Sequence, residues 1–200
     1  MMRYDLINWF VREYGYSRYL EIGVDNPLAC INLIKCPHKI GVDPNKGKTV
    51  EGQHYRMGSD EFFRLHHDQF RFDIVFVDGL HTAPQAHRDV IHALQMLERG
   101  GTIVMHDCWP HTESEGSGVR TQKGPWCGDV WRAWAALRAT QPQLHMRVVM
   151  ADHGLGVIRR GTQPLYAGPR DTWGDYVAHR DEILLPVDPE DVAALYGRGA

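Results

Sequence analysis

The spacing of apolar positions divides the chain into alternating helices and strands. Leu6, Ile7, Phe10 and Val11 fall on one face of an amphipathic helix over residues 1–14, which Gly15 ends. Residues 19–24 form a short buried strand that runs into a turn at Asn26-Pro27, and Pro27 suits the first turn of a helix through about residue 35. A second strand at 39–44 is halted by Pro44. A glycine- and lysine-rich loop over 45–52 then leads to a third strand near 54–57. Ser59-Asp60-Glu61 reads as a capped helix start with acids in its first turn, ahead of Phe62, Phe63 and Leu65. The run Phe72-Asp73-Ile74-Val75-Phe76-Val77-Asp78 is apolar on both faces in its middle, as central parallel strands are.

A helix from Pro84 to about Glu98 carries Ala86, Val90, Leu94 and Leu97 on one side and stops at Arg99-Gly100-Gly101. Residues 102–105 are another buried strand, ending at His106-Asp107. Residues 109–124 are polar and aperiodic, and a tryptophan-rich helix covers 129–140. Residues 146–150 and 154–159 form a hairpin joined by Ala151-Asp152-His153. From Gly161 onward Pro, Gly and charge mix, with one helix around 172–184. There is no internal repeat. The alternation predicts an α/β fold: a doubly wound, mostly parallel sheet with a C-terminal antiparallel hairpin. Residues 1–160 read as one domain, and 161–200 as an extension packing on it or on a partner subunit.

Composition narrows the classes. With 43% hydrophobic and 24% charged residues, a chain of 200 can bury a core, which excludes disorder, collagen and a coiled coil for the whole. The formal charge of −3 and the lack of a Lys/Arg block oppose a nucleic-acid binder, which needs a cationic surface. Protonating all twelve His would carry that charge to +9, so surface electrostatics depend on pH. Cys30, Cys36, Cys108 and Cys127 make no C-x-x-C pair and read as reduced thiols rather than a zinc site. Charges at Arg3, Asp5, Arg12 and Glu13 interrupt any leader, and no stretch nears the ~18 apolar residues of a membrane span. The expectation is a cytoplasmic protein with neither nucleic acid nor membrane as partner; a homo-oligomer is left open.

In open α/β sheets ligands bind beyond the carboxyl ends of the strands, near the switch in strand order. Those ends carry Gly23, Asp43, Asp78 and His106-Asp107. The dinucleotide fingerprint G-x-G-x-x-G is absent, because positions 25 and 28 are Asp and Leu. Asp43, about 20 residues past Gly23, stands where a carboxylate can accept both hydroxyls of a ribose, although it also suits a plain turn former. One glycine and two acids suit an adenosine ligand without phosphates and with an amino-acid tail. S-adenosylmethionine fits that description better than NAD.

Residues 19–24, Gly41-Val42-Asp43-Pro44, Ser59-Asp60-Glu61-Phe62-Phe63, 72–81 and 101–110, in this order, resemble a class I S-adenosylmethionine-dependent methyltransferase of the small group called family 24. The similarity runs from about residue 4 to residue 160 and includes Gly128-Asp129-Val130-Trp131 and His153-Gly154-Leu155-Gly156. It implies a seven-stranded Rossmann-like sheet. It further implies that Glu21 and Gly23 face the methionine part of the cofactor, that Asp43 holds the ribose, that Ser59 and Asp60 sit beside the adenine, and that Asp78 adjoins the cofactor. Ser59 equally suits a helix cap. The glycine-rich run usual after Gly23 is missing, so the cofactor's amino-acid end is expected to be held differently.

Asp78, His81, His106 and Asp107 are expected at the reaction centre, with two chemistries open. In one, Asp78 and Asp107 hold Mg²⁺ or a similar hard ion that lowers the pKa of a substrate hydroxyl, or, with His106 completing the set, a softer divalent cation. In the other, His81 removes the proton without a metal. Cys108 is a poor magnesium ligand. His66, His67, His87 and His92 read as solvated helix faces, and Trp131 and Trp134 as helix packing. Trp109 and Trp126 are pocket-lining candidates, and the 109–127 loop is long enough for a lid. The expected activity is O-methylation of a small-molecule acceptor, a sugar or natural-product hydroxyl. A binding module without turnover and a nicotinamide oxidoreductase are the alternatives.

Overall fold

The computed structural model describes residues 1–45, 50–121 and 123–198; the middle of the lysine-rich loop and Gln122 of the polar loop lie outside them. In chain order the elements are α1 (Arg3–Tyr14), β1 (Arg18–Ile22), β2 (His38–Val42), β3 (Gln53–Tyr55), α2 (Ser59–His66), β4 (Phe72–Val77), α3 (Ala83–Met96) and β5 (Leu97–Met105). They continue with α4 (Val130–Thr140), β6 (Leu144–Val149), β7 (Leu155–Arg160), α5 (Trp173–Leu184), β8 (Pro186–Val187) and α6 (Val192–Tyr196). The strands form one sheet in the order β3-β2-β1-β4-β5-β7-β6-β8. β7 pairs antiparallel with both β5 and β6, and the other pairings are parallel.

Period-two alternation along the central strands explains the two covered faces. Leu20, Ile22, Val75, Val77, Ile103 and Met105 point into one core, shared with α2, α3, α4 and α5. Tyr19, Ile74, Phe76 and Val104 point into the other, shared with α1, residues 27–34 and α6. α1 buries the predicted stripe of Leu6, Ile7, Phe10 and Val11 and ends on Gly15 in the left-handed region (φ 67°), where glycine carries no Cβ penalty.

The structure departs from the sequence-based expectations at several points. The sheet has eight strands rather than seven, because Pro186–Val187 pair with Val148 and Val149 on the outer edge of β6. The helix expected after Pro27 is two single 3₁₀ turns, Pro27–Ala29 and Ile31–Leu33, broken at Cys30 (φ −148°, ψ −77°). The Lys39 ammonium donates to the carbonyls of Ile31 and Ile34 and so ties down the end of the second turn. α3 stops at Met96 instead of near Glu98, since Leu97 already pairs with Phe72 and opens β5 with a register shift. Ser59 is not a cap: Gly58 holds that position and Ser59 starts the helix. His66 and His92 are half-buried against aromatic rings rather than solvated, His66 on Tyr55 and Phe62, His92 on Phe63. His87 is half-buried too.

Residues past Gly161 are tied closely to the sheet. Trp131 and Trp134, buried on α4 as packing residues, meet α5 through the Trp131–Tyr176 ring contact and the Trp134 indole N–H donated to the Ile183 carbonyl. All four cysteines are free and buried. Among the described residues no helix is long and apolar enough to cross a membrane.

Candidate functional site

Strand order reverses between β1 and β4, and there the two strand ends close on each other. The Asp78 N–H donates to the Ile22 carbonyl, and the Gly23 N–H to the Val42 carbonyl, both at 2.9 Å. Gly23 has φ +90°, and a Cβ on it would lie 1.9 Å from the Asp78 carbonyl oxygen. The glycine expected to admit a ligand is therefore required first by the chain's own backbone. Past these ends opens a cavity of about 750 Å³. Glu21, Gly23, Asp43, Ser59 and Asp60 line it from β1 through α2, and Asp78, His81, His106 and Asp107 from the ends of β4 and β5. The residues expected from the sequence to bind the cofactor or to form the reaction centre thus all line one cavity.

Alternation turns Glu21 toward the α1 side of the sheet, where the Tyr19 hydroxyl donates to its carboxylate. Burial pushes the Glu21 carboxyl up to about 7, against the pull of Tyr19, Cys30 and Arg3 and with Asp78 adding to the rise. Asp43 follows β2, is buried, and accepts the Asn45 N–H at 2.7 Å. Ser59 and Asp60 both accept from the Gln85 amide, at 3.1 and 3.2 Å. Asp60 also pairs with Arg88 at 3.2 Å, which holds its carboxyl below the ordinary range.

At the other end, His81 Nε2 lies 3.4 Å from Asp78 Oδ1, and its Nδ1 lies 3.2 Å from Asp107 Oδ2. His106 Nδ1 stands 3.3 Å from Asp78 and 3.1 Å from Asp107, at ion-pair distance but without hydrogen-bond geometry. Burial alone would raise the Asp78 carboxyl; His106, His81 and Arg3 outweigh it and hold it well below the usual carboxylate range. Burial likewise disfavours the His81 and His106 cations, but the facing carboxylates win and raise both. The His81 ring stacks on Trp126 at 5.2 Å. Its backbone is seated against Gly128 (φ +64°), where a Cβ would fall 1.8 Å from the His81 carbonyl. Of the two tryptophans proposed as pocket walls, Trp126 lines the cavity, whereas Trp109 packs on the core and on His111.

Donor atoms of Asp78, His81 and Asp107 lie within 4.8 Å of one another, and Asp107 Oδ2 is buried without a hydrogen-bond partner. Two carboxylates, one of them with an orphaned buried oxygen, and an imidazole suit a divalent cation. The imidazole in this group is His81, with His106 beside it.

Three site residues escaped the sequence reading. Arg3, in the first turn of α1, reaches Asp78 Oδ2 with Nη1 at 2.7 Å. Its Nε and Nη2 donate to Asp152 at 2.9 and 3.1 Å, and its backbone N–H does so at 2.8 Å. His153 lines the same cavity with Nδ1 buried and unpartnered. Asp107 (φ 60°), Asp152 (φ 44°) and His153 (φ 62°) all occupy the left-handed region, a strain that concentrates at functional sites. The one available signal was the turn itself: Asp-His stands between β6 and β7 where two left-handed residues favour Asn-Gly.

Residues 37–108 match a family model described as a methyltransferase domain, Methyltransf_24. No curated protein matches the chain by sequence. Among solved structures, the S-adenosylhomocysteine-bound methyltransferase PaMTH1 of Podospora anserina aligns with TM-score 0.57 at 16% identity over 78% of this chain and 76% of its own. An O-methyltransferase of Bacillus cereus in complex with S-adenosylhomocysteine aligns with TM-score 0.53 at 15% identity over 76% and 77%. The methyltransferase MycE of mycinamycin biosynthesis, in complex with Mg, S-adenosylhomocysteine and mycinamycin VI, aligns with TM-score 0.53 at 15% identity over 84% of this chain and 50% of its own. At these identities the structural likeness speaks for the fold. The segment from β2 to the end of β5 is thus similar to a methyltransferase domain, and the chain shares the fold of these solved methyltransferases.

Proposed function

We propose that the protein methylates a hydroxyl oxygen of a small molecule, a sugar or natural-product intermediate, using S-adenosylmethionine. The observation that carries this reading is one shared cavity, in which Glu21 and Asp43 stand at the ends of β1 and β2 and the Asp78–His81–Asp107 group at the ends of β4 and β5. Asp43 holds the ribose hydroxyls, Ser59 and Asp60 border the adenine, and Glu21 and Gly23 face the amino-acid end. Residues 1–160 carry this chemistry, and 161–200 form the extension that braces the domain.

When bound, S-adenosylmethionine supplies a methyl group already activated on a sulfonium. Positioning therefore accounts for much of the rate. His81 takes the acceptor's hydroxyl proton as the oxygen gains the methyl and the S–C electron pair stays on the departing thioether. Asp78 and Asp107 orient the imidazole and stabilise the imidazolium that forms. Trp126, stacked on His81, keeps water from that side of the ring.

A second reading has the specific support of the orphaned Asp107 oxygen. Asp78, Asp107 and a histidine, His81 or His106, would hold Mg²⁺ or a similar divalent cation, which would lower the pKa of a coordinated hydroxyl. Methyl-labelled S-adenosylmethionine incubated with hydroxylated acceptors, with a chelator and with Mg²⁺ restored, tests both. Labelled ether that survives chelation supports His81 alone, and label that requires the cation supports the second reading. Cofactor binding with no label in any acceptor would favour a binding module instead.

A further inference from the structure

We propose that Arg3 and Glu21 together recognise the amino-acid zwitterion of the cofactor, with Arg3 pairing its carboxylate and Glu21 its ammonium. The proposal rests on the cofactor reading above and names how that end of the ligand is held in a chain without the usual glycine-rich run.

Charge inside the cavity is lopsided. Glu21, Asp25, Asp43, Asp60, Asp78 and Asp107 all line it, and among the described residues Arg3 is the only arginine or lysine that does. A ligand carboxylate placed there meets acidic side chains on most walls and a fixed positive charge at Arg3, while His81 and His106 are turned to Asp78 and Asp107. Arg3 also stands at the correct end. It bonds directly to Asp78 at the β4 terminus, and its charge is felt by Glu21 at the β1 terminus. Adjacent fixed charges of opposite sign are the complement of an α-amino acid.

The guanidinium is pre-positioned for this. Of its five N–H donors, Nε and one each on Nη1 and Nη2 are used by Asp152 and Asp78, which leaves two for a ligand. Asp152 fixes the fork in a bidentate grip, and that carboxylate is 5% exposed. It does so from a turn in which Asp152 and His153 are both left-handed, a conformation that side chains rarely adopt without cost. A strained turn that aims one carboxylate at one arginine fits a device for holding that arginine still.

The test compares two ligands by calorimetry. S-adenosylhomocysteine carries the amino-acid end, and methylthioadenosine lacks it. Arg3→Met is expected to weaken S-adenosylhomocysteine at least tenfold while leaving methylthioadenosine within about twofold. An equal affinity of variant and parent for S-adenosylhomocysteine overturns the proposal. If Arg3→Met loses both ligands, Arg3→Lys decides: a loss confined to S-adenosylhomocysteine upholds the proposal, and equal loss of both contradicts it. A parent protein that binds neither ligand refutes the cofactor reading itself, an outcome distinct from either.

Discussion

Gly23 and Asp78 meet backbone to backbone. The Gly23 Cα turns at φ +90° into a space where a Cβ would stand 1.9 Å from the Asp78 carbonyl oxygen. The ends of β1 and β4 can close at the switch point only through a glycine. Gly23→Ala is therefore expected to cost about 2 kcal/mol or more through combined strain and displacement of β4's end. Thermal unfolding should show this as a drop of about 4 °C or more for a chain of this size. An unshifted melting curve would show that the two ends part without penalty.

Asp43, proposed to hold the ribose, accepts the neighbouring Asn45 N–H. Asp43→Ala should weaken S-adenosylmethionine more than tenfold, about 1.4 kcal/mol, while thermal stability stays near that of the parent. Unchanged affinity in a titration would remove Asp43 from the site.

His81 touches Asp78, Asp107 and Trp126 at the ends of β4 and β5. His81→Ala should lower kcat by about 10²–10⁴-fold while leaving the cofactor Kd nearly unchanged. Full turnover in that variant would exclude the residue as base.

Glu21 gives a pH dependence whose sign is fixed by burial. Its carboxyl stands at about 7 in the fold against an ordinary 4.5, with Tyr19, Cys30, Asp78 and Arg3 facing it. Its contribution to stability is complete below pH 4.5 and is lost as the pH rises through 7, by on the order of 3 kcal/mol. Glu21→Gln should flatten this component of the pH–stability curve, measured by denaturant unfolding from pH 4.5 to 8 beside the parent. Binding of a cationic ammonium next to Glu21 should favour its ionised form, so cofactor uptake near pH 6.5 should release protons. Buffers of different ionisation enthalpy would reveal that release in calorimetry.

Much of this was readable from the chain because local pattern and topology agreed. The doubly apolar run at Phe72–Val77 could only be a central strand, and the strand-end rule then pointed to Asp78, His81 and Asp107 together. Other features depend on pairing that no local pattern encodes. Pro186–Val187 becomes a strand only because β6 has an open edge. Proline at position 27 signalled a helix start, but Cys30 breaks the turn and Lys39, from the next strand, satisfies the carbonyls. Arg3 and Asp152 look like a surface charge and a hairpin turn until the fold joins them across 149 positions.

The proposed activity depends on what the cavity at the carboxyl ends of the strands accepts. Calorimetric titration of the protein with S-adenosylmethionine, with NADH as the competing ligand, is the most direct measurement. Saturable binding of one S-adenosylmethionine per chain and no uptake of NADH is the predicted result. A cavity that takes NADH, or that takes neither ligand at millimolar concentration, would contradict it.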